Sequence, residues 1–87
     1  MSKRLRILYF ASLREALGTA SEAPELPAAV STVGELRGWL RARGGAWAEQ
    51  LAEGRAIRAA VDQQMADAGT PLRDGAEVAF FPPVTGG

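Results

Sequence analysis

Two stretches of the chain are apolar on both alternating faces, and between them the hydrophobic spacing changes from two to roughly four. The first, Leu5-Arg6-Ile7-Leu8-Tyr9-Phe10-Ala11, reads as a central strand over 5–11, with Leu5, Ile7 and Tyr9 on one face and Leu8 and Phe10 on the other. The second, Glu77-Val78-Ala79-Phe80-Phe81, follows a tight turn at Arg73-Asp74-Gly75 and is the last strand. In the middle, Thr32-Val33-Gly34-Glu35 has capping-box spacing. Val33, Leu36 and Leu40 then recur with Trp39 alongside, so a main helix is predicted over 33–43, ended by Gly44-Gly45. Leu13 and Leu17, four apart before Gly18, predict a one- to two-turn helix, and Trp47 with Leu51 another within 46–53. Weaker patterns place an edge strand at 26–30, limited by Pro27, a strand at 57–61, a turn at Asp62-Gln63 and a short strand at 64–66. Segments 19–25 and 67–71 read as loops, and both tryptophans as core packing.

Two strands, a main helix and three more strands form an α+β pattern. Strands buried on both faces belong in the middle of a sheet, so the first and last are expected side by side and parallel, with the helix across one face. This is the β-grasp, or ubiquitin-like, arrangement: a mixed sheet of about five strands. Its core would hold Leu5, Ile7, Tyr9, Val33, Leu36, Leu40, Ile57 or Val61, Leu72, Val78 and Phe80. Alternation then sends Phe10 and Phe81 to the opposite face, near Leu8, Ala79 and Met65, where an 87-residue chain has no second layer to cover them. A contiguous exposed patch of this kind marks a docking surface.

Residues 1–81 would form the domain, and 82–87 a projecting tail. Pro82 and Pro83 fix φ and remove two donors, so Pro82-Pro83-Val84-Thr85-Gly86-Gly87 leaves the last strand as an extended arm. Gly86 and Gly87 can pass through a channel too narrow for side chains, and the one reactive group there is the Gly87 carboxylate, which needs activation by another protein. Composition removes the rival chemistries. With no Cys and no His, thiol nucleophiles, disulfides, the usual zinc sites and histidine acid–base work are excluded. Ten basic and ten acidic side chains cancel, which argues against a nucleic-acid partner. No apolar run approaches the ~20 residues of a membrane span, and no signal-peptide pattern is seen, so a cytoplasmic location without membrane attachment is expected.

The segments 8–11 with 13–15, Thr32-Val33 through Leu40, Ala60-Val61-Asp62-Gln63 and above all Asp74 to Gly87 resemble the small subunit of molybdopterin synthase, the MoaD-type sulfur carriers. Asp62 stands where that family commonly has Asn, and Ala76 where it commonly has Asp. The resemblance implies that an E1-like adenylyltransferase adenylates the Gly87 carboxylate with ATP and that a sulfurtransferase supplies persulfide sulfur for a thiocarboxylate. It implies that the tail enters the large synthase subunit, in a heterotetramer of two large and two small subunits, and donates sulfur to cyclic pyranopterin monophosphate. No stably bound cofactor is implied for the carrier itself, and Phe10, Met65 and Phe81 match partner-contact positions. Carriers for thiamine or tRNA thiolation share the terminal chemistry, a ubiquitin-like modifier would join Gly87 to lysines, and a plain interaction domain would work without Gly87.

Overall fold

The computed structural model describes residues 2–83; Met1 and the expected tail residues Val84, Thr85, Gly86 and Gly87 lie outside the described residues. In chain order the elements are β1 (Ser2–Arg4), β2 (Arg6–Tyr9), α1 (Ala11–Leu17), β3 (Ser21–Glu22), β4 (Glu25–Pro27) and α2 (Val33–Arg41). They continue with α3 (Gly45–Gln50), β5 (Arg58–Val61), β6 (Gln64–Ala66) and β7 (Glu77–Phe81). Five strands form one mixed sheet in the order β3-β2-β7-β5-β6, and β1 pairs with β4 in a separate two-stranded sheet. β2 and β7 lie side by side and parallel, Ile7 beside Val78 and Tyr9 beside Phe80, so the two apolar runs occupy the sheet centre as their patterns require. The result is a β-grasp fold. Val33, Leu36 and Leu40 of α2 share one core with Ile7, Tyr9, Val78 and Phe80.

α2 starts where the capping box places it: Thr32 Oγ1 accepts from the Glu35 amide at 3.2 Å, and Glu35 Oε1 accepts from the amides of Thr32 and Ser31. The next amides are also satisfied, Val33 donating to the Thr70 carbonyl and Gly34 to that of Ala68. Gly34 allows that close approach: a Cβ there would stand 3.2 Å from both the carbonyl oxygen and the Cβ of Ala68, which would have to give by a few tenths of an ångström.

Four sequence expectations change. The strand expected over 5–11 is shorter, Arg6–Tyr9, and a strand not expected, Ser2–Arg4, precedes it: the Arg4 amide donates to Asp74 Oδ1 at 2.7 Å and the Arg4 carbonyl accepts from Gly75 N, so the ladder breaks at Leu5. At the other end Phe10 is already the N-cap of α1. The edge strand expected at 26–30 is Glu25–Pro27, while Ser21–Glu22, inside the expected loop, pairs with β2. Two residues are too few for alternation to show in a sequence. In the core, Ile57 and Val61 are only half-buried and Ala59 between them is buried; Leu13, Leu26, Val30, Leu51 and Ala76 join it. The helix expected within 46–53 runs over Gly45–Gln50.

Short β3 is held by side chains. Arg43, just past α2, donates through both terminal nitrogens to the Glu22 carboxylate at 2.8 Å each, and Tyr9 Oη donates to Glu22 Oε2 at 2.8 Å. The Arg43 guanidinium also lies 5.1 Å from the Trp39 ring centre and 4.4 Å from that of Trp47. Tyr9 meets Trp47 edge-on at 5.3 Å. Both tryptophans therefore pack against the core as expected, with a cation over their outer faces. The hydrogen-bonded Arg43 holds the Glu22 carboxyl below its ordinary range despite partial burial. Burial, and then Glu22, push the Tyr9 phenol well above its own.

A carboxyl whose folded pKa is depressed stabilises the fold above its unfolded pKa and loses that contribution as pH falls through the folded value. Acid titration of thermal stability should therefore show a loss below about pH 4.5 that is shallower in Glu22→Gln; superimposable acid limbs would show that the pair contributes nothing. The β5–β6 turn supplies a second expectation. Asp62 and Gln63 both have positive φ, 49° and 70°, as in a type I′ turn whose second position favours glycine. Gln63→Gly should raise stability by roughly 0.5–1 kcal/mol in denaturant melts, and a decrease would contradict the strain.

Candidate functional site

The sheet face turned away from α2 is built by register. Arg6 sits beside Glu77, and Glu77 exchanges hydrogen bonds with Asp62, its carbonyl accepting from the Asp62 amide at 2.8 Å and its amide donating to Asp62 Oδ1 at 3.0 Å. Two residues further on, Leu8, Ala79, Ala60 and Met65 stand in line across four strands. The next row carries Phe10, which continues β2, then Phe81 and, opposite it on β5, Arg58. The face thus grades from polar, through a floor of two alanines, to aromatic at the end where the chain leaves β7.

Phe10 and Met65 are the two large hydrophobic side chains exposed among the described residues, 46% and 62% respectively, while Phe81 is half-buried. Leu8, Ala60 and Ala79 are half-buried between them. Fixed backbone supports the aromatic end: the Phe10 amide donates to the Phe80 carbonyl at 3.2 Å, and the Phe10 carbonyl accepts from Leu13 N. The next residue, Ala11, has φ 54°, a left-handed conformation that turns the strand into α1 within one residue of Phe10. Such strain at a non-glycine residue costs on the order of 1–2 kcal/mol and is held by its surroundings.

The register brings Phe10, Met65 and Phe81 to one face, with Leu8 and Ala79 as the alternation indicated. Two further members were not singled out in the sequence, Ala60 and Arg58, although the alternation of 58–61 puts both on one face. At the root of the tail, Pro82 and Pro83 are half-buried. Pro83 borders an open cavity of about 340 Å³ between Val33, Gly34 and Arg37 of the helix, Ile57 just before β5, Arg58 of β5 and Met65 of β6. The remaining tail positions, Val84, Thr85, Gly86 and Gly87, lie outside the described residues. Among the described residues no group of three His, Cys, Asp or Glu side chains could hold a metal ion, and no helix is long and apolar enough to cross a membrane.

Truncation separates the two faces. Phe10→Ala and Met65→Ala should change stability by no more than about 0.5 kcal/mol, whereas Phe80→Ala, one residue from Phe81 but fully inward, should cost ~3–5 kcal/mol. Urea melts distinguish them, and a large loss for Phe10→Ala would place that ring in the core.

Comparison with known proteins agrees with this geometry. The ThiS family model matches residues 7–87. The molybdopterin synthase sulfur carrier subunit of Escherichia coli K12 is 46% identical over 83 residues, covering 95% of this chain and 99% of that one. Among solved structures, SAMP1 of Haloferax volcanii aligns with a TM-score of 0.78 at 26% identity, over 97% of this chain and 99% of that one. Subunits 1 and 2 of the molybdopterin-converting factor of Helicobacter pylori were solved as a complex, and a chain of it aligns with a TM-score of 0.61 at 26% identity over the full length of both. A β-grasp sheet, an open apolar face at the tail root and a match running through the last residue together place this chain in the ThiS family.

Proposed function

We propose that this protein is the sulfur carrier subunit of a molybdopterin synthase. The observation that carries the reading is the apolar face at the point where the chain leaves β7, in a chain 46% identical to such a subunit. A partner that covers Phe10, Phe81 and Met65 also receives the end of the chain. From Pro82, six residues reach up to roughly 20 Å when extended, enough to enter a buried site while the domain stays outside. The two prolines lower the entropy lost when the arm is ordered.

The chemistry then belongs to the Gly87 carboxylate. An ionised carboxylate resists nucleophilic attack, and adenylation supplies the leaving group: a carboxylate oxygen attacks the α-phosphorus of ATP and pyrophosphate departs. Persulfide sulfur from a sulfurtransferase attacks the acyl carbon and AMP leaves, giving an acyl disulfide; a thiol then attacks the sulfurtransferase sulfur of that S–S bond, forming a new disulfide and releasing the thiocarboxylate. The tail, with Val84, Thr85 and Gly86 as its narrow stem, delivers that sulfur within the large subunit to cyclic pyranopterin monophosphate. The complex of the two subunits in the Helicobacter factor supports a large-subunit partner, and the same docking face would serve the E1-like adenylyltransferase in turn. A second reading, coupling of Gly87 to protein lysines, draws on the structural likeness to the archaeal modifier SAMP1.

Incubation with the activating enzyme, ATP and a sulfur source should raise the intact mass by the exchange of one oxygen for sulfur, and deletion of Gly87 should abolish the change. Phe10→Ala and Phe81→Ala should each weaken binding to the large subunit by ~1–2 kcal/mol in calorimetry. An unchanged mass with an enzyme that activates an authentic carrier would overturn the proposal, and isopeptide remnants on target proteins would favour the second reading.

A further inference from the structure

The cavity that Pro83 borders is left open because the side chains around it are small. Gly34 of α2, Ala59 of β5, Ala66 of β6 and Ala68 just beyond it bring at most a methyl group each, with the buried Phe80 ring behind them. The first turn of α2 is drawn against the 68–70 loop by the amides of Val33 and Gly34. One turn later Arg37 is committed elsewhere, donating to the carbonyls of Leu51, Ala52 and Arg55. Walls of this kind give water few partners, and an apolar side chain that enters them gains by leaving solvent. At about 340 Å³ the cavity has the volume of a small-molecule site at the lower end of the range. Such sites enclose most of their ligand, however, and this one is open. It suits a side chain presented by another protein surface.

Three residues join the cavity to the exposed sheet face. Met65 and Arg58 stand on that face by register and also border the cavity, and Pro83 lines it where the chain leaves β7. The Arg58 side chain is exposed, opposite Phe81, and the ion pairs among the described residues use Arg4, Arg41 and Arg43 instead. Asp67, the carboxylate on the cavity, accepts from Gly69 N and Thr70 Oγ1 and so holds its own loop. An apolar opening with such a guanidinium at its mouth complements an apolar side chain that has an acid beside it.

We propose that the cavity is a second anchoring point for the large subunit: one side chain of that partner, of leucine or phenylalanine size, enters it past Met65 while a neighbouring carboxylate pairs with Arg58. The inference rests on the carrier reading above and deepens it. A patch made of Phe10, Phe81 and Met65 can be covered in several orientations, because apolar contact is not directional. A side chain held in a cavity and an ion pair at its mouth select one of them. That choice sets how the tail root at Pro83 faces the partner.

Calorimetric titration of the full chain with the large subunit tests the proposal. Ala66→Phe, which fills the cavity from within, should weaken binding at least ~10-fold in a protein whose urea midpoint is not lowered. Arg58→Glu, an exposed position outside the core, should weaken binding by ~10-fold at low salt and by less as ionic strength rises, and Arg58→Lys should retain most of the affinity. If Ala66→Phe and Arg58→Glu both bind within ~2-fold of wild type while Phe10→Ala binds more weakly, the inference is overturned and the carrier reading stands. A wild-type chain that does not bind the large subunit would overturn both. Should Ala66→Phe lower the urea midpoint, Arg58→Glu decides: wild-type affinity at every salt concentration sinks the proposal.

Discussion

The parallel pairing of β2 with β7 is the constraint on which the rest of the molecule depends. A parallel pair needs a crossover, and here the crossover is almost the whole chain, from α1 through β6. Every other element is placed by it: β3 beside β2, β5 beside β7, and α2 over the face that carries Ile7, Tyr9, Val78 and Phe80. It also sets where the tail begins. Because both strands point the same way, Phe10 and the root of the tail emerge at one end, and β1 remains at the other.

On this frame a single step of alternation separates the core from the open face of the sheet. Tyr9 and Phe80 are fully buried, whereas Phe10 is exposed and Phe81 only half covered. Burying large apolar side chains on one face supplies the core of a small domain, and the same period leaves their neighbours on a face with no second layer. The alanines at 60 and 79 stand on that face between Leu8 and Met65. Away from that apolar patch, Glu22 joins Tyr9 to Arg43, and Arg37 caps the turn after α3 by donating to the carbonyls of Leu51, Ala52 and Arg55. These contacts tie the described elements together, and the proposed chemistry is left to the terminus and to the proteins that act on it.

Much of this was legible in the sequence because the signals were local and periodic. The capping box at Thr32 and Glu35, the spacing of Val33, Leu36 and Leu40, and the two doubly apolar runs determined the main helix, the central strands and the side of the sheet to which Phe10 and Phe81 turn. The absence of Cys and His removed thiol and imidazole chemistry from the chain. What only the tertiary structure decided depends on groups far apart in the chain. Asp74 and Gly75 bond the backbone amide and carbonyl of Arg4 and set Ser2–Arg4 apart from the first central strand; Arg43 reaches Glu22 and holds a two-residue strand that alternation cannot reveal. The pairing of β5 with β7 sets Arg58 opposite Phe81. Each of these contacts joins residues 15 or more apart, so no short window of sequence contains both partners, and their geometry exists only once the chain has closed on itself.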